Sequence, residues 1–192
     1  MKLPKLNGTI EADETYFNLS FKGKKKGMIR KPYLRGGSIH KRGLSREKVC
    51  VACAIDRNKN IMGKSVCLGK VRLNKLSVLL DKNIAFGKFS LLITDGGKSY
   101  GKYALKKNIN IKQLVGGKSK KKSIHIQNIN SHHSTLKKWV RQFNGVATKN
   151  LDNYLVFFKI MKTVKGGVFD ETLKLFNHAT NQEITDLKIN LI

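Results

Sequence analysis

Acidic residues are scarce in this chain: 12 Asp and Glu stand against 39 Lys and Arg in 192 residues, a formal charge of +27. Self-repulsion on that scale costs stability and is usually tolerated because a polyanion neutralises it. Nucleic acid is the expected polyanion, bound through counterion release from its phosphates and therefore sensitive to salt. A host genome rich in A and T, which inflates Lys, Asn and Ile everywhere, is the plainer source of such a bias, but it seldom produces one this lopsided. Long apolar runs are also missing, and nothing approaches the roughly 18–20 residues of a membrane span. The opening MKLPKLNGTI lacks the apolar core of a secretory signal, so a soluble protein with a cytoplasmic, nucleoid-associated address is expected. Cysteine is limited to Cys50, Cys53 and Cys67, an odd count that suits a reducing compartment rather than a disulfide frame. The C-x-x-C has no second pair or His partner at zinc-finger spacing, and its Val and Ala neighbours read as a buried strand. There is no internal repeat.

Against that scarcity, GTIEADETYF places three acids, Glu11, Asp13 and Glu14, in four consecutive positions. A chain built only to adhere to a polyanion gains nothing from such a knot. The stretch alternates as a strand over 8–17, with Glu11, Asp13 and Thr15 on one face and Ile10 and Ala12 on the other. Residues 18–47 form a basic loop or arm punctuated by Gly and Pro. KVCVACAID and IMGKSVCLG read as two strands joined by the turn-rich RNKN. A helix is expected over 71–82, then an apolar strand FSLLITDGG that stops at Asp95 before two glycines. A helix over 97–107, a strand NIKQLV and a second basic loop GGKSKKKS follow. In NINSHHSTLKKWVRQF, residues Ile129, His132, His133, Leu136, Trp139, Val140 and Phe143 recur at helical spacing as one largely apolar stripe, and Asn130, Ser134, Lys137 and Arg141 form a polar one. A helix over 151–162, with Leu151, Tyr154, Leu155 and Phe158 inward, and one around DETLKLFNHA complete the chain.

Three antiparallel strands followed by strands alternating with helices is the order of an α/β, ribonuclease-H-like domain, a mixed sheet flanked by helices. The expected organisation is one such domain over 1–165 with the arm inserted, and a C-terminal helix and tail over 166–192. In that arrangement the middle of the first strand lies beside the end of the fourth, and a later helix brings a third oxygen ligand. Those positions hold Asp13, Asp95 and Asn130. Phosphoryl transfer of this kind uses oxygen ligands converging on two divalent ions about 3.5–4 Å apart. The acidic knot then reads as an island that draws Mg2+ or Mn2+ into a basic surface.

IEADETYF, KVCVACAIDR, LLITDGGKSY and NINSHHSTLKKWVRQFNGVATKNLDNYL resemble the core of DDE-type transposases of bacterial insertion sequences, in the branch with an ISXO-like transposase domain, over roughly residues 8–160. GVATKNLDNYL is the most specific segment. The resemblance implies a catalytic set of Asp13, Asp95, Asn130 and Lys137, spaced 82, 35 and 7 residues apart, with the first three as metal ligands. A seven-residue step returns to the same helix face, so Lys137 is expected to reach a phosphate held near residue 130. It also implies double-stranded DNA as partner, both element ends and target, a homo-oligomer on DNA, and no membrane. Most DDE enzymes carry Glu where this chain has the neutral Asn130, with Glu14 or Glu11 as the candidate compensating charges. Family members usually carry an N-terminal DNA-binding region ahead of the core, whereas here the first catalytic strand begins almost at Met1, the pattern of a truncated copy.

Lys24, Lys25, Lys26, Arg30, Lys31 and Arg35 in the arm, Lys120, Lys121 and Lys122 in the second loop, and Lys137 and Arg141 on the helix are the expected DNA-backbone contacts, which position a duplex without reading its sequence. Each has a plainer reading as solvated surface. Asp95 before Gly-Gly suits a simple turn, Glu14 an ion pair with a neighbouring Lys, and His132 and His133 packing or a phosphate contact, since adjacent helical residues do not point at one ion. Tyr33 is a candidate for stacking on an unpaired base, and Trp139 reads as core. Two rivals stay open: a truncated or decayed transposase that only binds nucleic acid, and a basic RNA-binding protein without an active site.

Overall fold

The run KVCVACAID is apolar at nearly every position because both of its faces are covered. The computed structural model of the chain describes residues 5–23, 45–88, 90–115 and 124–163. In it this run is β2 (Lys48–Asp56), lying between β1 (Thr9–Asn18) and β3 (Ile61–Leu68). Cys50, Ala52 and Ala54 face one helical layer, and Val49, Val51, Cys53 and Ile55 face another. Successive strand side chains alternate between faces, so an unbroken apolar strand needs cover on both sides. The same alternation sends Cys50 and Cys53 to opposite faces, so the C-x-x-C thiols cannot share one ion.

The remaining elements are α1 (Leu73–Asn83), β4 (Leu91–Thr94), α2 (Lys98–Lys107), β5 (Asn110–Gln113), α3 (Gln127–Arg141) and α4 (Leu151–Thr163). The five strands order as β3-β2-β1-β4-β5. β1 is antiparallel to β2 and parallel to β4, β2 is antiparallel to β3, and β5 is parallel to β4. The short RNKN connection allows the antiparallel hairpin, whereas the parallel pairs each require a helical crossover. Leu76, Leu80, Tyr100 and Tyr103 from α1 and α2 pack on Ile10, Ala12 and Leu92, and Ile129, Leu136, Val140, Leu155 and Phe158 from α3 and α4 cover the other face.

Three differences from the sequence pattern have local causes. α3 ends at Arg141, so Phe143 lies past its end and is exposed, set edge-on to Trp139 and Tyr154 at ring separations of 4.9 and 4.8 Å. Trp139 is half-buried in that aromatic cluster rather than enclosed in the core. On α4, Ile160 is buried and Tyr154 only half-buried, because the aromatic cluster carries Tyr154 toward the rim. The arm residues Lys24, Lys25, Lys26, Arg30, Lys31, Tyr33 and Arg35, the loop residues Lys120, Lys121 and Lys122, and the helix expected after residue 166 lie outside the described residues.

Candidate active site

Asp13 and Asp95 are brought together by strand register. The last parallel rung between β1 and β4 joins Glu11 to Ile93. Each aspartate lies two residues beyond that rung, so they emerge at about the same level from neighbouring strands, near enough for the Asp95 charge to act on Asp13. The chain leaves the sheet at Asp95 through Gly96, whose φ of +105° lies in the left-handed region that favours glycine. A Cβ there would stand 3.1 Å from Val115 Cγ2, and one on Gly97 3.2 Å from the ring of Tyr100. The two glycines therefore make the tight exit that leaves Asp95 exposed, its Oδ1 accepting the Gly97 amide at 3.3 Å.

The site concentrates negative charge where water is partly excluded. Burial first, and then the neighbouring Asp95, push the Asp13 carboxyl up to about 6. Glu14 points to the opposite face of β1 and is pushed up to about 7, by burial and then by Asp13 and Asp95. Lys137, exposed on α3, draws Asp13 the other way, and Lys70 does the same for Glu14. The alternative of a simple Glu14 ion pair is not what forms: among the described residues no cation comes within salt-bridge distance of its carboxylate.

α3 lies along β1 on the Asp13 side. His133 Nδ1 stands 3.7 Å from Asp13 Oδ2, while burial, His132 and Lys137 push the imidazole down to about 4. At neutral pH His133 is uncharged, so the contact is not an ion pair. Its buried Nε2 has no hydrogen-bond partner among the described residues, and neither has the Tyr100 hydroxyl, which lies under the same acids. His132 packs on Phe158 with ring centres 5.6 Å apart. Asn130 is exposed one turn before His133, and its side-chain amide makes no hydrogen bond among the described residues. The structure thus gathers Asp13, Asp95, Glu14, His133 and Lys137, with Asn130 and Arg141 further along the same exposed stripe of α3.

Glu11 does not join them, which corrects its expected role as a compensating charge at a metal. It is 1% exposed and fully engaged. Ile129 N donates to Oε2 at 3.0 Å, while Asn128 Nδ2 and Arg57 Nη1 donate to Oε1 at 2.8 and 2.6 Å. His125 Nδ1 lies 3.3 Å from that oxygen and accepts the Gln127 amide at 3.4 Å, while His125 Nε2 lies 3.3 Å from Arg57 Nη1. Ile126, the residue before α3, provides no side-chain cap. Glu11, 118 residues away in sequence from Ile129, supplies that missing acceptor. No local sequence signal announces a cap borrowed from another element.

The GVATK stretch closes the far end of β1. Ser20 N donates to Thr148 Oγ1 at 2.8 Å, Thr148 N to Ser20 O at 3.0 Å, and Lys22 Nζ to the carbonyls of Asn144 and Gly145 at 3.5 and 3.0 Å. These carbonyls follow the end of α3, where a cation is favoured. Ser20 and Lys22 are thus held against the segment that follows α3.

Hard oxygen donors suit a divalent cation such as magnesium. Asp13, Asp95 and the carbonyl of Asn130 supply them, and the mutual repulsion of Asp13, Glu14 and Asp95 is what such a cation relieves, so the residues present fit it. Among the described residues no three His, Cys, Asp or Glu side chains converge as a metal-binding group.

A mixed sheet in this order, with helices on both faces and acids at the level where β1 meets the end of β4, defines an α/β protein of the ribonuclease-H-like class. Within it, the chain belongs to the ISXO2-like transposase domain family, whose model matches residues 5–160. No curated protein matches the sequence. Among solved structures it is similar to the HTLV-2 integrase catalytic core domain, determined in a dimeric form in complex with magnesium, at 14% identity and a TM-score of 0.41, covering 78% of this chain and 82% of that one. It is also similar to a chain of the simian T-cell lymphotropic virus intasome in complex with PP2A regulatory subunit B56 gamma, at 13% identity and a TM-score of 0.45, covering 78% of this chain and 47% of that one. No helix among the described residues is long and apolar enough to cross a membrane.

Proposed function

We propose that the chain is the catalytic core of an insertion-sequence transposase, which cleaves DNA at element ends and joins 3' ends to a target in a divalent-metal-dependent reaction. Family membership supports the reaction class, and one observation carries the site: Asp13 and Asp95 share a level at the sheet centre, where burial and the Asp95 charge together disfavour the charged form of Asp13. Asp13, Asp95 and the Asn130 carbonyl would hold magnesium or manganese. When bound, the metal supplies an activated hydroxyl nucleophile and stabilisation of the leaving oxygen. The chain's own part is placement. Lys137 beside Asp13 offers its ammonium to a phosphate oxygen, Arg141 one turn on extends the cationic stripe along the DNA backbone, and neutral His133 packs beside Asp13 without competing for its charge. The working assembly is a homo-oligomer on double-stranded DNA, in the nucleoid of the cytoplasm.

Nicking and strand transfer on a DNA substrate in magnesium or manganese, comparing the native chain with Asp13→Ala and Asp95→Ala, tests this. Each substitution is expected to lower the rate by on the order of 100–1,000-fold or more while salt-dependent DNA binding persists. Unchanged activity in both variants would instead establish a fold that binds nucleic acid without catalysis at these residues.

A further inference from the structure

We infer that Glu11 is a positioning residue whose buried carboxylate pins the first turn of α3 and so determines which α3 side chains face Asp13; the inference rests on the proposed metal site. Along β1, Glu11 meets residues 128 and 129 of α3, and Asp13 meets His133. Two strand residues advance about 6.8 Å and four helical residues about 6 Å, so strand and helix run in step between these contacts. Asn130, His133 and Lys137 share one face of α3 by their spacing of three and four. Slippage of α3 by a single residue rotates that face by about 100° and carries it away from Asp13.

Apolar packing on Val51, Cys53 and Ile55, and against Phe158 of α4, holds the helix to the sheet from its middle onward, and its first turn is held by Glu11. Glu11 adds direction: its two oxygens receive a backbone amide, a side-chain amide and a guanidinium from two different elements, and its negative charge lies at the positive end of the helix. Arg57, from the β2–β3 turn, shares Oε1 with Asn128 and so ties the start of α3 to that turn. The knot IEADE therefore divides its labour. Glu11 sets the helix, and Asp13 on the same face two residues later uses the helix so placed.

The test compares the full chain with Glu11→Gln, which keeps an acceptor and loses the charge, with Glu11→Ala, and with Asp152→Ala as a control for plain loss of stability. Three quantities are read: amide hydrogen exchange of residues 127–131, the ring resonances of His133, and the magnesium concentration that half-activates nicking. Both Glu11 variants should speed local exchange beyond the change in global stability, move the His133 resonances and raise the magnesium requirement, by about 10–100-fold in the alanine variant and less in the glutamine one. The control should leave the His133 resonances and the magnesium requirement at native values. Exchange and His133 resonances in Glu11→Gln and Glu11→Ala that match the control overturn the role of Glu11. If the native chain nicks and Glu11→Ala keeps its magnesium requirement, the positioning role is lost and the enzyme stands. If the native chain does not nick, the proposed reaction is lost and the first two readouts still decide Glu11.

Discussion

Asp13 and Asp95, far apart in sequence, stand side by side because each lies two residues beyond the same parallel rung, Glu11 with Ile93. Two carboxylates in that arrangement repel, and the Asp13 carboxyl, raised first by burial, is raised further by this neighbour. Removing one charge should therefore stabilise the metal-free protein. Asp95→Asn is expected to raise the thermal midpoint at pH 7.5 in chelator, a gain of up to about 1 kcal/mol, while abolishing nicking and the stabilisation by magnesium. A lower midpoint in chelator would show that the pair is not repulsive.

The pH dependence has a definite sign. Asp13 moves from 3.8 to about 6 and Glu14 from 4.5 to about 7, so between those values the folded chain binds more protons than the unfolded one. Stability from these groups is then lost as pH rises, from about pH 4 through 6 for Asp13 and through 7 for Glu14. Burial pushes His132 and His133 down to about 4, so stability from these imidazoles is gained over part of the same window. The carboxylate contribution is therefore read by urea unfolding as the difference between the native chain and Glu14→Gln in chelator, which should fall by on the order of 2 kcal/mol between pH 5 and 7.5 and be largely removed by saturating magnesium or manganese.

Asp152 joins α4 to the sheet edge, its Oδ1 accepting the Ser65 amide at 2.8 Å. Nearby, β3 carries one extra residue opposite the Cys50/Val51 step of β2, which breaks the regular ladder. Asp152→Ala leaves that amide without its acceptor and should cost about 1–3 kcal/mol in urea unfolding, with faster exchange at Ser65 and no change in metal requirement.

The three thiols should separate by reactivity. Cys50 and Cys53 are buried, and burial pushes Cys50 up to about 12 and Cys53 higher still. Cys67 is partly exposed, its Sγ within 3.6 Å of the Lys70 carbonyl oxygen. A disulfide reagent at pH 8 should label Cys67 first, and the other two only at the rate of global unfolding. Mass spectrometry of the labelled peptides reads the order.

Much of the fold was legible in the residues because each element satisfies a local rule. The alternation in GTIEADETYF, the unbroken apolar run of β2 and the three-and-four spacing in α3 each report a periodicity of burial. Asp95 before two glycines was legible as a strand end for the same reason, and the pairing of Asp13 with Asp95 followed from the element order. The stripe was misjudged at Phe143 because helical spacing continues on paper after α3 has ended at Arg141, and the backbone then turns away at Asn144, whose φ is +49°.

The sequence by itself determined the charge, the elements, the family likeness and the presence of an acidic knot, since all of these depend on a residue and its near neighbours along the chain. Only the tertiary structure decided what each acid in that knot does. Glu11 and Asp13 share a strand face and a chemical type, yet one is enclosed by three donors and the other left beside Asp95. The difference comes from where α3, more than a hundred residues later, places its first amides and its histidine, and long-range packing alone sets that placement.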